Sequence, residues 1–238
     1  VGLLSDLLRD LNCDVDHLFK KDLKQVYLRY LKFRPNVVIS VSEVGPIPTL
    51  LKKVGLIRVP HIHDWTDDYT DINGGDYGVA FIAFCEYFTV ANADFIITPS
   101  IYRKERCESW GKRVFYIPHG VDDDFDSKEP ASLKGNIKVV YTGEQSTKKN
   151  VDKLIAAARG LDCDLYLLGK TNNEFKAEAP PNVHFMGFVA RSQIPSYLKA
   201  ADILALTPDD DSTLKMFEYI KAGKAILGTR GKVGYVLT

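Results

Sequence analysis

Short runs of apolar residues, rich in Val and Ile and mostly without polar alternation, recur along the whole chain, separated by stretches of helical periodicity. The runs lie at 36–41, 56–61, 95–98, 114–117, 137–142, 164–168, 183–186, 203–207 and 225–228. Strands that are apolar on both faces belong to a parallel sheet under helices, because a sheet with one wet face alternates instead. Helical periodicity fills the gaps at 3–11, 22–33, 48–53, 79–93, 101–111, 151–159, 192–200 and 214–222. Alternation of this kind predicts doubly wound α/β structure.

The pattern weakens at one place. Residues 121–136, VDDDFDSKEPASLKGN, are acidic, carry Pro130 and Gly135, and offer little to pack. Such a stretch reads as a linker. It divides the chain into a domain at 1–122, a linker at 123–136 and a domain at 137–238. With 238 residues and about 150 per domain, each half can bury its own core. Two Rossmann-like halves joined this way would face a central cleft, a usual place for ligands. The chain starts inside a helical pattern, without the strand and Gly-rich turn that usually open such a unit. It stops just after a fifth strand of the second half, so the fold is expected to be cut short at both ends.

Composition removes several classes. Lys plus Arg number 31 and Asp plus Glu 31, and zero net charge argues against a nucleic-acid partner, which needs a basic face. Hydrophobic residues at 45% and charged residues at 26% exclude a disordered chain. No run of about 18 apolar residues is present, so no transmembrane segment is expected. The acids and Arg9 in the opening VGLLSDLLRDLN do not form a signal peptide. Cys13, Cys85, Cys107 and Cys163 are scattered, with no C-x-x-C pair. They read as reduced thiols of a cytoplasmic protein rather than a metal site. Phe81, Phe84, Tyr87 and Phe88 around Cys85 fit a core helix, with a stripe for peripheral membrane contact as the alternative.

Two stretches suggest chemistry. In KVVYTGEQSTKKNVDKLIAAA, 138–158, Gly143 closes a strand and lets backbone approach a ligand, while Lys148 and Lys149 stand where a helix begins. Amide groups and the positive helix end favour a phosphate or diphosphate there. A plain strand–turn–helix with surface lysines fits the same residues. In TPDDDSTLKMFEYIKAGKAILGT, 207–229, a helix starts near Thr213, and Glu218 lies roughly two turns in. A carboxylate at that height can accept two hydrogen bonds from a ribose diol while the helix start, near Ser212 and Thr213, holds a diphosphate. The same residues equally fit a plain helix start, with Asp209, Asp210 and Asp211 complementing the helix dipole and Ser212 as N-cap. Lys215 and the lysines at 148 and 149 would offset the acids.

In order and spacing these stretches resemble the family 4 glycosyltransferases, also called group 1, which have the GT-B fold. YTGEQSTKKNVDKLIAAA has the family's length, with Lys149 at the family's lysine. The resemblance continues through LYLLGK, through PPNVHFMGFVARSQIPSYLKAADILALTP and through the acid-x7-Glu pair Asp210 and Glu218 followed by EYIKAGKAIL. In the first half, ADFIITPSIYRKERCESWG and VFYIPHGVD resemble the family's approach to its linker. Residues 34–228 are covered. The resemblance departs at Glu144, where the family has an arginine, and at Ser42, beside Glu43, where it often has a histidine. The family's N-terminal Gly-rich loop is absent.

The resemblance implies a metal-independent, retaining hexosyltransferase that uses a nucleotide-sugar donor (UDP- or GDP-sugar), with no cofactor. Lys149, Asp210 and Glu218 are its implied catalytic residues. Gly143, Lys148, Ser212, Thr213 and Lys215 complete the donor site, and backbone at Gly187, Phe188 and Val189 borders the base. On the acceptor side it implies Ser42 and the loop HIHDWTDDYTD, where His63, Asp64, Trp65 and Tyr69 bind sugar hydroxyls or stack on a sugar; a surface loop with an aromatic anchor is the alternative. The acceptor is a glycan, a lipid-linked sugar or a small molecule. Two other functions share the features: a non-catalytic nucleotide-sugar-binding module, and a GT-B epimerase or phosphorylase. The acidic runs at 122–124 and 209–211 read as solvated or dipole-complementing turns, not metal ligands. His119 and His184 read as structural.

Overall fold

The computed structural model describes residues 8–18, 22–41, 45–66, 77–121 and 123–237. The chain divides into two units between Pro118 and His119. In the N-terminal unit the described elements are α1 (Leu23–Phe33), β1 (Val38–Val41), α2 (Pro46–Lys53), β2 (His61–Asp64), α3 (Tyr77–Asn92), β3 (Phe95–Thr98), α4 (Ile101–Ser109) and β4 (Val114–Tyr116). The strands form one parallel sheet in the order β1-β2-β3-β4. Asp22 caps α1 by accepting the amides of Lys24 and Gln25, and Ser100 caps α4 by accepting that of Arg103, which satisfies donors with no intrahelical partner. Trp65, Val90, Ala93, Ile96 and Cys107 form a buried core.

Two expectations fail in this unit. The apolar run at 56–61 predicts the second strand, but the strand runs His61–Asp64. Pro60, which has no amide proton to give a ladder, precedes it and accepts the Val38 amide at 2.9 Å. The polar sequence HIHD disguises a strand because its two histidines are buried against polar partners rather than apolar ones. The helix expected to bury Phe81, Phe84 and Tyr87 instead exposes them, at 70%, 62% and 56% of their surface. Of the helix expected at 3–11, only the end at 8–10 lies within the described residues.

The C-terminal unit carries β5 (Lys138–Thr142), α5 (Val151–Ala158), β6 (Asp164–Leu168), α6 (Asn173–Glu178), β7 (Val183–Gly187), α7 (Ile194–Ala200), β8 (Ile203–Leu206), α8 (Leu214–Ala222), β9 (Ala225–Gly228) and α9 (Gly234–Leu237). All five strands are parallel, in the order β7-β6-β5-β8-β9. This is the Rossmann arrangement, with the order reversing between β5 and β8. Helices cover both faces of the sheet, and each face has its own core. One is built around Val140, Leu204, Met216 and Tyr219, the other around Tyr141, Val151, Ile155 and Leu167. Helix α6, which the periodicity missed, is only six residues long. It is set by Asn172, whose side chain accepts the amides of Glu174 and Phe175.

The segment expected to be a linker is part of this unit. Residues 123–127 form a 3-10 helix. Phe125 is 2% exposed and joins the core of Val140 and Leu204. The Lys199 ammonium donates to the carbonyls of Asp126 and Lys128 at 2.8 Å each, and the Ala131 amide donates to Ser196. One buried aromatic and these polar ties bind the segment down despite its acidic composition.

Candidate functional site

Ligands of a doubly wound sheet bind beyond the carboxyl ends of the strands where their order reverses. At that end of the C-terminal unit three neighbouring strands finish on glycines with positive φ: Gly143 (130°), Gly169 (143°) and Gly187 (73°). The Gly143 amide donates to the Leu168 carbonyl at 2.8 Å, and the Gly169 amide to the Gly187 carbonyl at 2.9 Å. A Cβ on Gly169 would lie 2.1 Å from the Gly143 carbonyl oxygen. The two turns therefore touch backbone to backbone, and no side chain intervenes.

Across the reversal point, the first turn of α8 sends Lys215 to the end of β5. Its ammonium donates to the Thr142 carbonyl at 2.9 Å and lies 4.5 Å from the centre of the Tyr141 ring. A Cβ on Gly143 would fall 2.9 Å from that nitrogen. Burial pushes the Lys215 pKa down to about 8; the Lys149 charge acts in the same direction, and Glu218 and Glu144 oppose it. Lys149 from the β5 loop and Glu218 from α8 thus bear on one ammonium. Beneath it, the Tyr219 hydroxyl accepts the Thr142 amide at 3.0 Å, and the Tyr141 hydroxyl donates to the Glu144 carbonyl at 2.8 Å. Burial pushes both phenol pKa values up, that of Tyr141 to about 12.

The β5 loop is held from below. Gln145 is buried; its side-chain oxygen accepts the Asn172 amide at 3.0 Å, and the Asn172 side chain donates to the Gln145 carbonyl at 3.2 Å. Lys148 and Lys149 are exposed on a single 3-10 turn, Thr147–Lys149. Left-handed Asn150 (φ 54°) separates that turn from α5. The lysines therefore precede the α5 N-terminus rather than opening it, as the sequence had suggested.

The acidic stretch before α8 folds on itself. One oxygen of Asp210 accepts both the amide and the hydroxyl of Ser212, at 3.0 and 2.7 Å, and Asp211 and Ser212 are buried. Thr213, not Ser212, is the N-cap, and its side chain makes no capping bond. The short polar turn uses the serine on Asp210 instead. Glu218 lies 3.6 Å from the Arg191 guanidinium, which comes from the loop after β7. At the end of β7, Phe188 is 86% exposed, while Val189 packs into the core. His119 meets Phe217 edge-on, and His184 stacks on Tyr166 and pairs with Asp164 at 2.6 Å.

Of the acceptor-side residues, Ser42 and Tyr69 lie outside the described residues. His63 and Trp65 do not stand on an open loop. His63 belongs to β2 and is 1% exposed, and Trp65 is buried and stacked on Trp110. Asp64 is half-buried and accepts the Thr66 hydroxyl at 2.9 Å. Shortening the expected loop to a strand turned these side chains inward. Sequence reasoning missed Gly169, Gln145, Asn172 and Arg191 as parts of the C-terminal constellation. Only Gly169 carried a signal, the glycine closing LYLLG. Among the described residues no group of three or more His, Cys, Asp or Glu is placed to hold a metal ion, and no helix is long and apolar enough to cross a membrane.

Residues 122–235 match the family described as glycosyl transferases group 1. No curated protein sequence matches the chain. Among solved structures, HepE from Anabaena in complex with UDP and glucose superposes with a TM-score of 0.65 at 15% identity, covering 100% of this chain and 73% of its own. The E. coli trehalose-6-phosphate synthase bound with UDP-2-fluoro glucose gives 0.61 at 11% identity, covering 92% and 66%. A putative UDP-N-acetylglucosamine 2-epimerase from Listeria monocytogenes gives 0.52 at 12%, covering 96% and 69%. At these identities the likeness carries the fold, which is GT-B.

Proposed function

From a C-terminal unit that is a group 1 glycosyl transferase domain, we propose that the chain moves a hexose-type sugar from a UDP- or GDP-sugar to a glycan, lipid-linked or small-molecule acceptor, with retention at the anomeric carbon. One observation carries the reading: the Lys215 ammonium lies over Gly143 at the reversal point, within the fields of Lys149 and Glu218. As the sugar–phosphate bond breaks, negative charge grows on the leaving diphosphate. Fixed cations and amides aimed at that charge lower the barrier. Lys149 and Lys215 supply the charge, Lys148 reinforces it, and the mechanism uses no metal ion. Lys215 takes the part that an arginine at Glu144 would play, reaching the end of β5 from α8.

Glu218 accepts the ribose diol, with Arg191 beside it fixing the carboxylate. Asp210 receives a hydroxyl of the donor sugar. Gly187, Phe188 and Val189 border the base. The exposed stripe of Phe81, Phe84 and Tyr87 on α3 supports a peripheral membrane contact when the acceptor is lipid-linked, at the cytoplasmic face. Glu144, a negative charge close to the proposed diphosphate, favours a second reading in which a nucleotide sugar is bound but not turned over. Calorimetric titration with UDP and with GDP, followed by turnover of the matching sugar donor, tests both. Binding with transfer supports the enzyme, binding without turnover the module, and binding of neither nucleotide removes the reading.

A further inference from the structure

Four buried polar side chains of the N-terminal unit lie in one line that the C-terminal site does not use. Ser40 on β1 is opposite His63 on β2 in the sheet register. Its hydroxyl lies 2.8 Å from Nε2 of His61 and 3.0 Å from Nδ1 of His63. On the other side of His61, Nδ1 is 3.4 Å from the hydroxyl of Thr49, which donates to the Gly45 carbonyl at 2.7 Å. All four residues are at most 3% exposed. A Cβ on Gly45 would fall 2.8 Å from Cε1 and 2.9 Å from Nδ1 of His63, so the glycine lets that ring seat where it does. Asp94 and Lys52 are the charges nearest His61, and they pair with each other at 3.0 Å.

The line has one consistent direction of hydrogen bonding. Burial keeps both rings neutral, so each has one N–H and one bare nitrogen. A carbonyl only accepts, which commits the Thr49 proton to Gly45. The Thr49 oxygen then faces His61 as an acceptor, and Nδ1 of His61 must carry the proton. Nε2 of His61 is bare and takes the Ser40 proton, and the Ser40 oxygen accepts from Nδ1 of His63. The opposite direction would set two lone pairs against each other between Thr49 and His61. We propose that Thr49, His61 and Ser40 are positioning residues that hold His63 in its Nδ1–H form and present Nε2 as a hydrogen-bond acceptor at the carboxyl end of β2. The carboxyl edge of a parallel sheet is where ligands approach. If the glycosyl-transfer reading holds, on which only the identity of the ligand rests, the group it receives is a sugar hydroxyl.

Long-range 1H–15N correlation on histidine-labelled protein at neutral pH tests the line directly. His17→Asn, His119→Asn and His184→Asn identify the other three histidines. The buried pair is expected to show protonated Nδ1 and bare Nε2 on both rings, the tautomer that a free histidine side chain disfavours. Thr49→Val keeps the shape but removes the acceptor, and both rings are expected to move toward the Nε2–H form together. Nε2–H on either buried ring of the wild-type protein, or an unchanged pair in T49V, would overturn the proposal. UDP titration of the same samples separates the two claims: failure to bind UDP removes the donor-site reading and leaves the tautomer result standing.

Discussion

The ammonium of Lys215 spans the reversal point of the C-terminal sheet, bonding from the first turn of α8 to the carbonyl oxygen of Thr142, 2.9 Å away on β5. Burial holds its pKa at about 8, below the ordinary 10.5. Between those values the folded chain binds fewer protons than the unfolded one, so this group's contribution to stability improves as pH rises through that window. At neutral pH the buried charge is a cost to the fold, and in the proposed function the donor diphosphate would offset it. Lys215→Met is therefore expected to raise the melting temperature slightly and to weaken UDP binding at pH 7. Wild-type affinity should fall above about pH 8, approaching tenfold per unit. Lys215→Arg, whose charge persists, should remove that slope. Calorimetry over the range decides it, and a flat wild-type profile would refute the role.

In the proposed function Lys149 is the second cation for the diphosphate, and it stands on the exposed turn before Asn150. Its charge already acts on Lys215. Lys149→Ala should remove about 2–4 kcal/mol of transition-state stabilisation, the size found for single electrostatic donors, or roughly 30-fold to a thousandfold in kcat/KM. Because the side chain is exposed, the melting temperature should stay put. A variant with unchanged turnover would show that Lys215 alone carries the charge.

Gly169 tests the backbone cradle. Its φ of 143° disfavours any side chain, and a Cβ would meet the Gly143 carbonyl oxygen at 2.1 Å. Gly169→Ala is expected to cost more than the ~1 kcal/mol of an ordinary glycine replacement, because both turns must move. UDP binding should fall together with stability, measured by urea unfolding and titration. A variant as stable as wild type would mean that the two turns separate freely.

The parallel α/β architecture was legible because β5, β6 and β8 are buried on both faces and their sequences KVVYT, DLYLL and ILAL show it. That Gly143 closes β5 ahead of Lys149, and that Glu218 lies within α8, was legible because spacing inside each strand–loop–helix survives folding. What escaped depends on contacts distant in sequence. Nothing local says that Gln145 will lock onto Asn172, or that Arg191 will stand beside Glu218. Strand β2 escaped because His61 and His63 look like surface residues until Ser40 and Thr49 are seen beside them. The stretch at 123–136 escaped for a related reason: average polarity hid the single residue that decides its fate.

That residue is Phe125. Buried at 2% exposure beside Val140, Leu204 and Tyr219, with the Lys199 ammonium 5.7 Å from its ring, it should anchor residues 123–136 to the C-terminal unit. Phe125→Ala is expected to destabilise that unit by about 3–5 kcal/mol, as for other large aromatic truncations. Proteolysis of the variant should then begin in 123–136, where the wild-type protein is expected to resist it. Equal cleavage of both would restore the linker reading.

Acid should open the N-terminal unit through the same histidines that hide β2. Burial lowers the pKa of His61 to about 4 and of His63 to about 3, from an ordinary 6.5. Between those limits the unfolded chain binds more protons, so the stability they confer is complete above about pH 6.5 and is lost as pH falls through the two folded values. Each contributes a slope of up to about 1.4 kcal/mol per pH unit. Both tryptophans, Trp65 and Trp110, belong to this unit and stack at 6.4 Å, so their fluorescence reports it alone. The urea midpoint read from that signal should drop between about pH 6 and pH 4.5. A midpoint that holds constant over the range would mean that the two rings take up protons without leaving the sheet.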